Sequence, residues 1–215
     1  TFSWTGPNGF ESQNQSLTDL EPGLYNLELT DSFFTYQDNF TVELFPIYNG
    51  LEICYVSGDE VEIIKNRVFL NKDGNYNVSA YQILRETNIT DEYEEIGLAL
   101  PTDDSFLDID SNNLARQYKY KVATIDNCGN ESIASPVHYN TFLQANLSSG
   151  EYVNLNWEPY FGVDYNSFYI YRSVNESPFE ILDVLPGNQT VYNDTTADVT
   201  INDYTYYIGI IVEEC

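Results

Sequence analysis

Apolar and polar residues alternate with a period of two in almost every structured-looking segment, and no stretch keeps the 3.6-residue spacing of an amphipathic helix. The alternation predicts strands over Leu24–Leu29, Phe40–Leu44, Arg67–Leu70, Ala80–Leu84, Tyr118–Ile125, Tyr152–Trp157, Phe168–Tyr171 and Tyr204–Val212. These segments are rich in Tyr and β-branched residues, which suit a pleated, half-buried surface. Between them lie Pro7-Asn8-Gly9, Glu21-Pro22-Gly23, Asn49-Gly50, Lys72-Asp73-Gly74, Cys128-Gly129-Asn130 and Pro186-Gly187, which supply the positive or fixed φ of tight turns. Short strands roughly ten residues apart with turns between them predict an all-β chain of sandwiches.

Sliding the sequence along itself by about 86 residues sets the domain count. Tyr81-Gln82-Ile83-Leu84-Arg85 then lies near Phe168-Tyr169-Ile170-Tyr171-Arg172, and Tyr93-Glu94-Glu95-Ile96 on Phe179-Glu180-Ile181-Leu182. Leu107-Asp108 falls near Asn193-Asp194, and Tyr118-Lys119-Tyr120-Lys121-Val122-Ala123 on Tyr204-Thr205-Tyr206-Tyr207-Ile208-Gly209, with Cys128 one place from Cys215. Blocks in the same order at a nearly constant offset indicate a tandem repeat.

The period and particular residues resemble fibronectin type III modules. Leu155-Asn156-Trp157-Glu158-Pro159 is similar to that family's second-strand L-x-W-x-P, and Tyr169-Ile170-Tyr171-Arg172 to its third-strand Y-x-Y-R. Tyr118-x-Tyr120-x-Val122 and Tyr204-x-Tyr206-x-Ile208 are similar to its sixth-strand Y-x-Y-x-V. The first unit departs from the pattern with Leu70 at the Trp position, and the second ends at Cys215, before the seventh strand. Residues 1–46 stand outside the repeat. Phe2-Ser3-Trp4-Thr5-Gly6-Pro7-Asn8-Gly9-Phe10, followed by Leu20-Glu21-Pro22-Gly23-Leu24-Tyr25-Asn26-Leu27-Glu28-Leu29-Thr30-Asp31, resembles the SprB-type repeat of surface adhesins and other secreted multidomain proteins of gliding Bacteroidetes. With the Asp126-Asn127-Cys128-Gly129-Asn130-Glu131-Ser132 loop, the combination resembles the region ahead of a type IX secretion signal domain. The resemblance implies a partial Ig-like (SprB-type) repeat at 1–46 and fibronectin type III-like modules at 47–140 and 141–215, the latter without its last strand. It further implies export to the extracellular surface. Both ends read as cut inside domains, Thr1-Phe2-Ser3-Trp4 as mid-strand.

Composition narrows the partners. Eight Lys and Arg against 34 Asp and Glu give a net charge of −26, too few cations for the phosphates of a nucleic acid or for an anionic membrane surface. No run approaches the roughly 18 apolar residues of a membrane span. Hydrophobic residues still make up 42% of the chain and tyrosine 19 positions, so packed cores are expected rather than a disordered acidic tail. Nine N-x-[ST] triplets, at Asn14, Asn39, Asn77, Asn88, Asn130, Asn146, Asn175, Asn188 and Asn193, fit an exposed, loop-rich surface.

Candidate chemistry is sparse. The single histidine, His138, lies in Pro136-Val137-His138-Tyr139-Asn140 with no nucleophile elbow or neighbouring cysteine, so it reads as a strand residue rather than a general base. There is no Gly-rich phosphate loop after a strand. Asp103, Asp104, Asp108 and Asp110 cluster closely enough to suggest a calcium site, although no EF-hand-type loop accompanies them. The resemblance places Cys54 at the beginning of a first strand and Cys128 in the loop between sixth and seventh strands, at one pole, so that a Cys54–Cys128 disulfide is open to them. Such a bond contributes about 4–5 kcal/mol in the chain-entropy model. Two buried free thiols are the alternative. Cys215 takes the equivalent loop position of the second unit.

Tyr118, Tyr120, Tyr169, Tyr171, Tyr204 and Tyr206 read as core and cross-strand positions by their period-two placement, with sugar stacking as the alternative. The expected function is a non-catalytic stalk or spacer of a large secreted surface protein. Its expected partners are neighbouring domains of the same chain, and a surface glycan, a protein or the secretion machinery. The alternatives are a carbohydrate- or protein-binding adhesin module, or an accessory region of a secreted enzyme. Short connectors at Pro46–Asn49 and Tyr139–Phe142 predict a semi-rigid rod.

Overall fold

The computed structural model describes residues 1–43, 52–72, 77–148 and 152–212. The connector at Pro46–Asn49, the turns at Asn49-Gly50 and Asp73-Gly74, and Cys215 lie outside them. The chain divides into two compact units, Thr1–Pro46 and Ile47–Cys215.

The first unit holds β1 (Phe2–Thr5), β2 (Glu11–Ser12), β3 (Gly23–Thr30) and β4 (Thr35–Val42) in one antiparallel sheet of order β2-β1-β3-β4. Its registers line up Phe2, Leu29 and Tyr36 in one row and Trp4, Leu27 and Asp38 in the next, with Tyr25 opposite Phe40. Alternation thus gathers the apolar side chains on one face and leaves Ser3, Glu28 and Gln37 on the other. Tyr25 is the buried anchor: its hydroxyl donates to the Glu21 carbonyl at 2.8 Å and its ring meets Phe10 edge-on at 5.3 Å.

The second unit contains two sandwiches. In the first, β5 (Glu52–Gly58), β6 (Asn66–Asn71) and β9 (Ser105–Asp108) form a sheet of order β5-β6-β9. The facing strands β7 (Val78–Glu86), β8 (Tyr93–Ala99), β10 (Lys119–Asp126) and β11 (His138–Tyr139) have order β11-β10-β7-β8. In the second sandwich, β12 (Phe142–Leu147), β13 (Val153–Glu158) and β16 (Val191–Asp194) take the order β12-β13-β16. They face β14 (Ser167–Val174), β15 (Glu180–Pro186) and β17 (Tyr204–Ile210), ordered β15-β14-β17. The orders coincide strand for strand, so the fold is a tandem pair of Ig/fibronectin type III-like β-sandwiches. Among the described residues only β11 lacks a counterpart.

The repeat extends to individual pairings. Tyr120 lies opposite Arg85 as Tyr206 lies opposite Arg172, and the bulge at Ile83/Leu84 recurs at Ile170/Tyr171. Leu70, standing at the Trp position, is buried in the first core as Trp157 is in the second. Although the sandwiches are distinct, they share one compact unit, because Tyr160, from the connector between β13 and β14, is part of the first sandwich's core. Tyr165 and Ile210 pack against both cores.

Candidate functional site

The acidic residues that suggested calcium are placed for other work. Asp108, at the end of β9, is buried and takes both its oxygens to within 2.9 Å of Arg85 Nη1. The Tyr120 hydroxyl donates to Asp108 Oδ2 at 2.8 Å while accepting from Asn66 Nδ2 at 3.0 Å. Arg85 belongs to one sheet and Asp108 to the other, so the pair ties the two layers together. The second sandwich repeats this: Arg172 Nη1 lies 2.7 Å from Asp194 Oδ2, which also accepts from the Tyr206 hydroxyl at 2.8 Å. Burial opposes charge on Asp194, but hydrogen bonds from Thr196, Arg172 and Tyr206 outweigh it and hold its pKa below the ordinary aspartate value. Tyr120 and Tyr206 are both driven upward, first by burial and then by the carboxylate each one faces.

The remaining acids of the candidate calcium set point elsewhere. Asp104 Oδ1 pairs with Lys72 at 2.6 Å, Asp103 Oδ2 accepts the Leu100 amide at 2.8 Å, and Asp110 is exposed. Among the described residues no group of three or more His, Cys, Asp or Glu side chains is placed to hold a metal ion. The expected calcium cage is therefore not formed, since Asp108 turns into the sandwich and is neutralised there by Arg85.

The expected Cys54–Cys128 disulfide is not formed either. Cys128 is a free, exposed thiol in a turn whose amides at Cys128 and Asn130 both donate to Asp126 Oδ1 at 2.8 Å. Cys54 is buried in β5 and disulfide-bonded, and it lines a cleft with Asp164, Tyr165 and Ile211 of the second sandwich.

The junction between the sandwiches gathers the residues that sequence reasoning did not single out. Tyr160 follows Pro159 out of β13, and its ring is buried in the first core. Its hydroxyl accepts the Val56 amide at 2.8 Å and lies 2.9 Å from His138 Nδ1. The oxygen could accept from both nitrogens, but its own hydrogen would then be unpaired in the core; the arrangement that pairs every group sends it to Nδ1, which assigns His138 as the neutral tautomer protonated on Nε2. Burial pushes the His138 pKa down to about 4 and the Tyr160 pKa up.

Gly162 then lies flat against the imidazole. A Cβ at Gly162 would stand 2.5 Å from His138 Cγ, and its φ of +122° is one that side-chain-bearing residues rarely adopt. Next to it, Tyr139 and Phe161 exchange backbone hydrogen bonds of 2.8 and 3.2 Å and pack their rings at 4.9 Å. Gln117 Nε2 completes the seam, donating to the carbonyls of Asn140 at 2.8 Å and Pro159 at 2.9 Å. The short strand β11 is thus hydrogen-bonded to β10 on one side and to the second sandwich's connector on the other. The signal in the sequence is the run Pro159-Tyr160-Phe161-Gly162, two aromatics and a glycine immediately after the Trp-bearing strand.

Of the motif tyrosines, Tyr118 and Tyr120 are buried and Tyr169, Tyr171, Tyr204 and Tyr206 are half-buried, as core and cross-strand positions require. The Asn of every N-x-[ST] triplet is exposed.

No protein-family model matches the chain, and no curated protein matches it. Among solved structures, it is similar to the FN1–FN3 domains of chicken CNTN1 at 9% identity, with a TM-score of 0.29, over 97% of this chain and 84% of that one. At that score the likeness adds nothing to the fold read from the strand orders themselves.

Proposed function

We propose that the chain is a non-catalytic, extracellular spacer or adhesion segment of a larger secreted surface protein, of the SprB-bearing, type IX-secreted kind found in gliding Bacteroidetes. The observation that carries this reading is the Tyr160 junction. It makes two sandwiches into one compact unit, and a segment that positions neighbouring domains needs such continuity. The buried ionisable groups are spent on the same end: Arg85, Asp108, Arg172 and Asp194 join sheet to sheet, and His138 joins sandwich to sandwich. An acidic coat of net charge −26 keeps such a segment soluble and repels like copies.

A second reading, a carbohydrate-binding adhesin module, is favoured by the aromatics exposed in the first unit, where Phe33 is 92% and Tyr36 51% accessible. A glycan array probed with the whole chain separates the two. Silence across the array supports the spacer, and saturable binding lost on Tyr36→Ala supports the adhesin. The proposed export route is tested by following the full-length protein in a gliding bacterium lacking the type IX machinery, where it should stay inside the cell.

A further inference from the structure

We propose that the Tyr160 hydroxyl, the His138 imidazole and the Val56 amide form an acid-sensitive clasp, which holds the two sandwiches together while His138 is neutral and releases them when it takes a proton. Tyr160 has one hydrogen to give. With the Val56 N–H at 2.8 Å on its oxygen, that hydrogen is directed to His138 Nδ1 at 2.9 Å. An imidazolium carries hydrogens on both nitrogens and offers no acceptor. A protonated His138 therefore faces the hydroxyl donor to donor, or turns the hydroxyl hydrogen into the apolar core that surrounds the Tyr160 ring. Either arrangement leaves a buried polar hydrogen unpaired and a buried charge uncompensated.

The surroundings offer that charge no relief. From β5 come the Val56 amide, on the Tyr160 oxygen, and Tyr55, whose hydroxyl bears on Tyr160. From β10 comes Tyr120, opposite His138 in register, its hydroxyl already given to Asp108. On β11 itself the Tyr139 ring lies under the Lys119 ammonium, which is paired with Glu86 at 2.8 Å. The connector contributes Tyr160 and the backbone of Gly162. Among the described residues no carboxylate pairs with His138, and burial is what lowers its pKa to about 4 from the ordinary 6.5.

Opening returns the ring to water and to its ordinary pKa. The open state therefore binds a proton that the closed state refuses across the window from 6.5 down to about 4. Within it the ratio of open to closed clasp rises about tenfold per pH unit, and about 300-fold across the whole window. Because Gly162 packs on the ring and Phe161 bridges to Tyr139, release of the ring frees the connector as well.

Amide hydrogen exchange on the full chain reads the clasp directly, since the Val56 N–H is the one held by Tyr160. Corrected for the intrinsic pH dependence of exchange, Val56 protection should fall about tenfold per unit between pH 6.5 and 4.5, and at every pH it should lie below that of Val68 in the core strand β6, because the clasp opens without unfolding the sandwich. In a His138→Phe variant, which fills the space but takes no proton, Val56 protection should be independent of pH over this range. Val56 protection that is flat with pH in the unaltered chain overturns the proposal. So does Val56 protection equal to that of Val68 at every pH, which reports unfolding of the whole sandwich and no separate opening of the clasp.

Discussion

Arg85 and Asp108 meet at 2.9 Å between the sheets of the first sandwich, and Arg172 and Asp194 repeat the pair at 2.7 Å in the second. In each, a tyrosine two places after the start of the repeated Y-x-Y motif donates to the same carboxylate. Removing one partner strands a buried charge, whereas removing both does not. Asp108→Asn is therefore expected to cost about 3–5 kcal/mol in urea unfolding. The double replacement Arg85→Met with Asp108→Leu should recover most of that loss. A single substitution within experimental error of the unaltered chain contradicts this role.

The clasp predicts a graded series at Tyr160. Tyr160→Phe keeps the ring but leaves the Val56 N–H and His138 Nδ1 without their partner, a loss of about 1–3 kcal/mol. Tyr160→Ala empties part of the first sandwich's core as well and should cost about 3–5 kcal/mol. Although Tyr160 belongs by sequence to the second repeat, thermal unfolding should show the first sandwich losing stability in both variants.

Gly162→Ala tests the close approach at the same seam. The added methyl meets the His138 ring in a backbone conformation that already disfavours a side chain, so a strain of at least about 1–3 kcal/mol is expected. The sandwiches should then separate at neutral pH with each core intact. Unchanged melting and unchanged alignment of the two sandwiches would rule out the packing described.

Acid should act in two steps of the same sign. His138 has a folded pKa below its unfolded one, so its contribution is complete above pH 6.5 and declines by about 1.4 kcal/mol per unit toward about pH 4. Asp194 is also depressed, so its contribution is complete above the ordinary aspartate value of 3.8 and is lost only as pH falls through its lower folded pKa. The junction should thus weaken before the second sandwich does. Loss of stability beginning only below pH 4 would assign the first step to the wrong group.

Thiol chemistry distinguishes the cysteines. Under non-reducing conditions a maleimide should label Cys128 on the native chain and leave Cys54 unlabelled, as read by peptide mass mapping. Recovery of a Cys54–Cys128 linked peptide contradicts the structure.

The strands and the repeat were legible because period-two alternation and the Y-x-Y motif are local properties, fixed by which face of a sheet each residue occupies. β4 was only half visible: Thr35 to Asn39 has a single apolar side chain, Tyr36, so its alternation carries too little signal. The calcium reading failed because neighbours in sequence point apart in a strand and its following turn. Asp108 is buried and Asp110 two places on is exposed. The disulfide reading rested on a likeness of modules taken one at a time, whereas Cys54 faces the cleft between two of them. The junction was least legible of all. A connector residue that plugs a neighbouring core has no periodicity, and His138 taken alone showed only that it lacked a catalytic partner.

Residual dipolar couplings measured at neutral pH on the full chain address the joining of the sandwiches most directly. Amides of the first sandwich, from β5 to β11, and of the second, from β12 to β17, should fit a single alignment tensor of one magnitude. Two tensors of different magnitude and orientation, one for each sandwich, would show them moving independently and would contradict the unit built around Tyr160.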